Sequence, residues 1–110
     1  MNSRLDPRSL PLSTTYVITF VVRPAERSRF LALLNPVLDA MRLESTFKSA
    51  TLHVDPSDEN RFQLHETWES HADVVDVQLH RHYRAAWHHA LEEMLERPRD
   101  ITIWDQLRAD

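Results

Sequence analysis

The chain reads as a single α+β domain with the order β-α-β-β-α-β, and three observations carry that reading. Strand-like runs stand at Tyr16–Arg23, Phe47–Val54, Arg61–Trp68 and Ile101–Leu107. Helical apolar spacing fills the intervals after the first and the third of these runs. With 110 residues there is room for one hydrophobic core and no second domain.

Residues 1–15 hold Pro7, Pro11 and several Ser and Thr without a period, and are expected to form an extended arm ahead of a domain over residues 16–107. Tyr16-Val-Ile-Thr-Phe-Val-Val-Arg23 is β-branched and aromatic and stops at Pro24, so it is the first strand. Phe30, Leu34, Val37, Leu38 and Met41 mark an amphipathic helix from about Ala25 to Leu43, which Pro36 should kink or break near Leu33 to Asn35. Phe47–Val54 and Arg61–Trp68 form a hairpin around the six residues Asp55-Pro-Ser-Asp-Glu-Asn60, where Asn60 can take a positive φ. With Val54 opposite Phe62, Leu52 faces Leu64 and small Ala50 faces Glu66. The reverse face then carries Ser49, Thr51, His53, Gln63, His65 and Thr67, too polar for a core and suited to water or a polar subunit interface.

Ser70 is a good N-cap for a short helix to about Leu79, and a longer helix from about Arg81 to Glu96 ends at Arg97-Pro98-Arg99. Ile101-Thr-Ile-Trp-Asp-Gln-Leu107 alternates as the last strand. This is the split, ferredoxin-like arrangement, an antiparallel sheet with helices on one face and the other face left to be covered. A small core and a bare sheet face together make a homodimer plausible.

Composition removes several function classes. A net charge of -4 lacks the basic footprint of a nucleic-acid binder. No run of 18 apolar residues offers a membrane span, and Met1 to Thr15 lacks the apolar centre of a secretion signal, so a soluble, cytoplasmic protein is expected. The absence of cysteine rules out disulfides and thiolate chemistry. Glycine is also absent, where an average chain of this length would hold about 8, which argues against a glycine-rich phosphate cradle.

The residue that most needs explaining is Glu66. Strand alternation puts it on one row with Phe62, Leu64 and Trp68, a carboxylate among core side chains. It is either a structural ion-pair member, with Arg23, Arg42 or Arg84 as partner, or a pocket carboxylate whose proton affinity burial has raised into the range of a general base. Trp68, Tyr83 and Trp87 read first as core, with walls for a planar substrate as the alternative. Of the seven histidines, His82 and His89 lie roughly 10 Å apart along a helix axis, too far to share an ion, so no metal site is expected. His82, at the edge of the apolar helix face, is the remaining candidate, either a packing residue or a proton shuttle.

Arg42-x-Glu44, Phe62-x-Leu-x-Glu66-x-Trp68, Leu79-x-x-His82-Tyr83 and the closing stretch from Pro98 to Trp104 resemble, in order and spacing, the antibiotic-biosynthesis monooxygenase domain, also called the quinol monooxygenase-like family. The resemblance covers about Tyr16 to Leu107. It implies a dimeric α+β barrel made of two such sheets. It further implies a cofactor-independent monooxygenase that oxidises a small aromatic, quinol-like or polyketide-like substrate with molecular oxygen and needs no metal or flavin. Glu66 and His82 would then be base or proton relay, and Trp68, Tyr83 and Trp87 substrate walls. Departures are visible: Ser45-Thr46 stands where the family often has Gly-Cys, and Val77 where a histidine is common nine positions after the strand tryptophan. The haem-degrading branch has Trp and a ligating His at the positions held here by Val77 and Trp87, which disfavours haem chemistry, with His88 next door. A non-catalytic dimeric ligand-binding domain and a proton-transfer isomerase are the alternatives on the same fold.

Overall fold

The computed structural model describes residues 12–110. Most of the expected arm, residues 1–11, lies outside that range. The four strands are β1 (Thr14–Val21), β2 (Phe47–Asp55), β3 (Asp58–Trp68) and β4 (Asp100–Asp105), in the sheet order β2-β3-β1-β4 with every neighbouring pair antiparallel. The α+β, ferredoxin-like architecture expected from the pattern is therefore present. β1 begins two residues before the expected start, because Thr14 already pairs with Trp68 on one side and Asp105 on the other.

The hairpin register is the one the alternation demanded: Val54 opposite Phe62, Leu52 opposite Leu64, Ala50 opposite Glu66. The loop differs from expectation. Both strands extend until Asp55 pairs with Asp58, so only Pro56 and Ser57 lie between them. No described residue has a positive φ, Asn60 included. The turn is held by aspartates, with the Ser57 N–H donating to Asp55 Oδ1 at 2.8 Å and the Asn60 N–H to Asp58 Oδ1 at 2.9 Å.

Helix α1 (Arg27–Met41), entered through a 3₁₀ turn at Pro24–Glu26, runs unbroken through Pro36, against the expected break. Pro36 lies on the exposed side, while Leu34 and Val37 flank it in the core and hold both halves of the helix onto the sheet. The ring costs one backbone bond, and burial on either side outweighs it.

Helix α2 (His71–Asp76) starts where Ser70 Oγ accepts the Asp73 N–H at 3.2 Å. The expected long second helix is shorter than predicted. Two 3₁₀ turns, Gln78–His80 and His82–Arg84, precede α3 (Ala85–Met94). His82 is thus on an exposed turn and not at the edge of an apolar helix face.

The core lies between the helices and the inward row of the sheet. Its centre is a group of rings: Phe20 meets Phe30 at 5.1 Å and Trp87 at 5.6 Å, and Phe30 meets Trp87 at 5.3 Å and stacks on Phe62 at 4.9 Å. The other sheet face carries the polar row, tied by Thr15 Oγ1 to Thr67 Oγ1 at 2.7 Å and His65 Nε2 to Gln63 Oε1 at 2.8 Å.

Candidate active site

Between the sheet and the helices lies a cavity of about 220 Å³, walled on one side by Ile101 and Ile103 of β4. Most of its wall is apolar, from Ile18, Phe20, Leu34, Val37, Met41 and Leu64. The six polar groups on it come from five different elements and the segment before β4. Glu66 rises from β3 and Tyr16 from β1 directly opposite it; His71 opens α2; Arg84 closes the 3₁₀ turn His82–Arg84; His88 lies on α3; and Arg99 precedes β4.

Glu66 is 5% exposed. Its carboxylate accepts a hydrogen bond from Trp68, whose indole N–H donates to Oε1 at 3.1 Å. Burial pushes its carboxyl above the ordinary carboxylate value of 4.5, against the opposing pull of Arg84, the Trp68 hydrogen bond and Arg99. Arg84 and Arg99 act on Glu66 through the electrostatic field, and neither is among the ion pairs formed by the described residues. The pairing expectation named the right element in Arg84 but not the contact. The result is a desolvated carboxyl not locked to a guanidinium and facing an apolar cavity, which can take up or release a proton from a bound group.

Tyr16 and His71 form a second unit. The Tyr16 hydroxyl and His71 Nδ1 are 2.6 Å apart, with rings 5.9 Å between centroids. Burial, then the nearby Glu66 charge, raises the Tyr16 phenol, so it stays protonated and able to donate. Because Tyr16 is buried and His71 exposed, the pair connects the cavity wall to solvent. No residue spacing announces this pair, which joins positions 55 apart.

Of the five residues singled out in the sequence, Glu66 and Trp87 line the cavity together. Trp68, next along the same row, is fully buried outside the cavity wall, edge-on to Phe47 at 5.3 Å, and touches the site through its bond to Glu66. Tyr83 turns away and donates to Glu44 at 3.3 Å, a carboxylate that also receives Arg81 at 2.9 Å. His82 is exposed and outside the cavity wall. Among the described residues no group of His, Asp and Glu is arranged to hold a metal ion.

The Trp68 bond favours ionised Glu66, so its removal has a definite sign. Trp68→Phe, which keeps a ring against Phe47, is expected to raise the Glu66 proton affinity further. Carboxyl-carbon NMR titration checks this, and an unchanged or lower midpoint would contradict the bond's assigned role.

The family described as "Antibiotic biosynthesis monooxygenase" matches over residues 14–90. A protein of Pestalotiopsis microspora named as a monooxygenase is 26% identical over 96 residues, covering 86% of this chain and 80% of that protein. Among solved structures, Rv0793 of Mycobacterium tuberculosis superposes with a TM-score of 0.79 at 23% identity, covering 88% of this chain and 97% of that one. SnoaB, a cofactor-independent oxygenase of Streptomyces nogalater, superposes with a TM-score of 0.74 at 16% identity, covering 88% and 95%. At these identities the two structures speak for the fold alone.

Proposed function

The chain belongs to the antibiotic biosynthesis monooxygenase family, and from that membership we propose that it oxidises a small quinol-like aromatic with molecular oxygen and without a metal or flavin. The observation that carries the reading is Glu66, buried, free of any guanidinium ion pair among the described residues and set in a cavity whose wall is mostly apolar. Its role is to remove a phenolic proton. The phenolate so formed is electron-rich enough to reduce oxygen itself. One oxygen atom enters the ring and the other leaves as water with two substrate hydrogens, so a hydroquinone gives a hydroxyquinone and no external reductant is consumed.

The protein's contributions are the base, orientation against Trp87 and exclusion of water. A cavity of about 220 Å³ is below the roughly 300–1,000 Å³ of drug-sized sites and above the roughly 150 Å³ that admits benzene. Size therefore favours a one- or two-ring substrate over a larger polycycle. A second copy of the chain covering the Thr15, His65 and Thr67 face of the sheet belongs to the same reading, supported by Trp104 standing 59% exposed on that face.

Oxygen uptake with a panel of hydroquinones and naphthalenediols tests the proposal. The expected result is one oxygen molecule consumed per product, with labelled oxygen appearing in both product and water. Product formed equally under nitrogen would point to a proton-transfer isomerase. Binding without any turnover would point to a ligand-binding domain.

A further inference from the structure

The charges on the cavity wall do not balance. Arg84 and Arg99 supply two fixed positive charges and Glu66 at most one negative charge. Arg84 is 5% exposed, and among the described residues its Nε and Nη2 have no hydrogen-bond acceptor. Its guanidinium is flanked by the rings of Trp68 and Tyr83, each 5.8 Å from Cζ, which hold it in place while Nε and Nη2 stay unpaired. Buried guanidinium donors with no acceptor are costly, and such groups are ordinarily satisfied by a carboxylate or phosphate.

Base chemistry at Glu66 does not remove the surplus. If Glu66 takes a phenolic proton, its negative charge passes to the phenolate and the count stays at one anion against two cations. A ligand that brings a permanent negative charge of its own completes the balance. His88, one of the two histidines on the wall, does not offset this, since burial, with Arg99 and Arg84 beside it, lowers its proton affinity.

We propose that the cavity takes an aromatic carboxylate, its acid group received by Arg84 and Arg99 and its ring lying among the apolar walls beside Trp87. A carboxylate suits the space better than a phosphate ester, because its planar pair of oxygens fits the guanidinium fork at small volume. The proposal rests on the oxygenase reading for the identity of the substrate, a carboxylated phenol, but not for the binding itself.

Calorimetric titration under nitrogen with 2-naphthoate and 2-naphthamide, which share shape and differ in charge, isolates the binding. The acid is expected to bind at least about tenfold tighter than the amide, and Arg99→Gln and Arg84→Met each to reduce that ratio to within about threefold while amide affinity holds. Should Arg84→Met fail to fold, Arg99→Gln and the wild-type ratio decide. Equal affinity for acid and amide, or a preference that survives Arg99→Gln, overturns the proposal. Oxygen-uptake assays separate the two claims. Acid-selective binding with no oxygen uptake on any hydroxylated naphthoate upholds this site and sinks the oxygenase reading; uptake on neutral quinols without acid preference does the reverse.

Discussion

Glu66→Gln is expected to lower kcat on a quinol substrate by roughly 10²- to 10⁴-fold, the range typical of losing a positioned general base. The fold should survive, since the glutamine amide oxygen can accept the Trp68 N–H as the carboxylate does at 3.1 Å. A second readout distinguishes lost chemistry from lost structure. Burial raises the Glu66 proton affinity in the folded state, so the native protein holds this proton more tightly than the unfolded chain does. Its contribution to stability is therefore fully present below the ordinary value of 4.5 and declines as pH rises from there through the higher folded value. Glu66→Gln removes that decline, so the variant should gain stability relative to wild type as pH increases across this window. Urea denaturation at a series of pH values measures it. A variant that is inactive and also less stable throughout would mean the carboxyl is structural.

Trp87→Ala is expected to cost about 3–5 kcal/mol of stability, the usual loss for truncating a buried aromatic. Trp87 is 3% exposed and packs against both Phe20 and Phe30, so the void cannot collapse without displacing the ring cluster that joins α1, α3 and β1. For a domain of this size the fall in Tm should be at least about 12 °C, and the protein could sit near its unfolding limit at 37 °C. Trp87→Phe should lose much less. Thermal unfolding followed by circular dichroism separates these outcomes, and a Tm within about 4 °C of wild type for Trp87→Ala would show that the ring is cavity lining and not core.

How far the sequence could be read depended on the range of the interactions. The pairing of Ala50 with Glu66, and Glu66's place on the buried row, followed from strict alternation and a short polar turn, which are local facts. The helix after Ser70 was legible from its cap. The start of α3 was not. A 3₁₀ turn advances about 120° per residue against 100° in an α-helix, so the turn at His82–Arg84 shifts the phase by about 60° from the pattern assumed. That shift leaves His82 in solvent, aims Tyr83 at Glu44 and buries Arg84. Arg99 and the Tyr16–His71 pair were invisible for another reason. An arginine beside a proline, or a histidine after a cap, reads as surface until tertiary contacts bring it to the cavity.

β4 pairs with β1 across nearly the whole described chain, Thr14 meeting Asp105. The same segment brings Arg99, Ile101 and Ile103 to the cavity. During synthesis the first three strands and α1 can leave the ribosome and pair while the cavity still lacks its last wall. The enclosure of the cavity is thus deferred until β4 has emerged and closed a long, entropically costly loop. A nascent chain stalled before Arg99 would carry Glu66 and Trp87 yet only part of their enclosure, so any chemistry proposed for the cavity waits on completion of this strand.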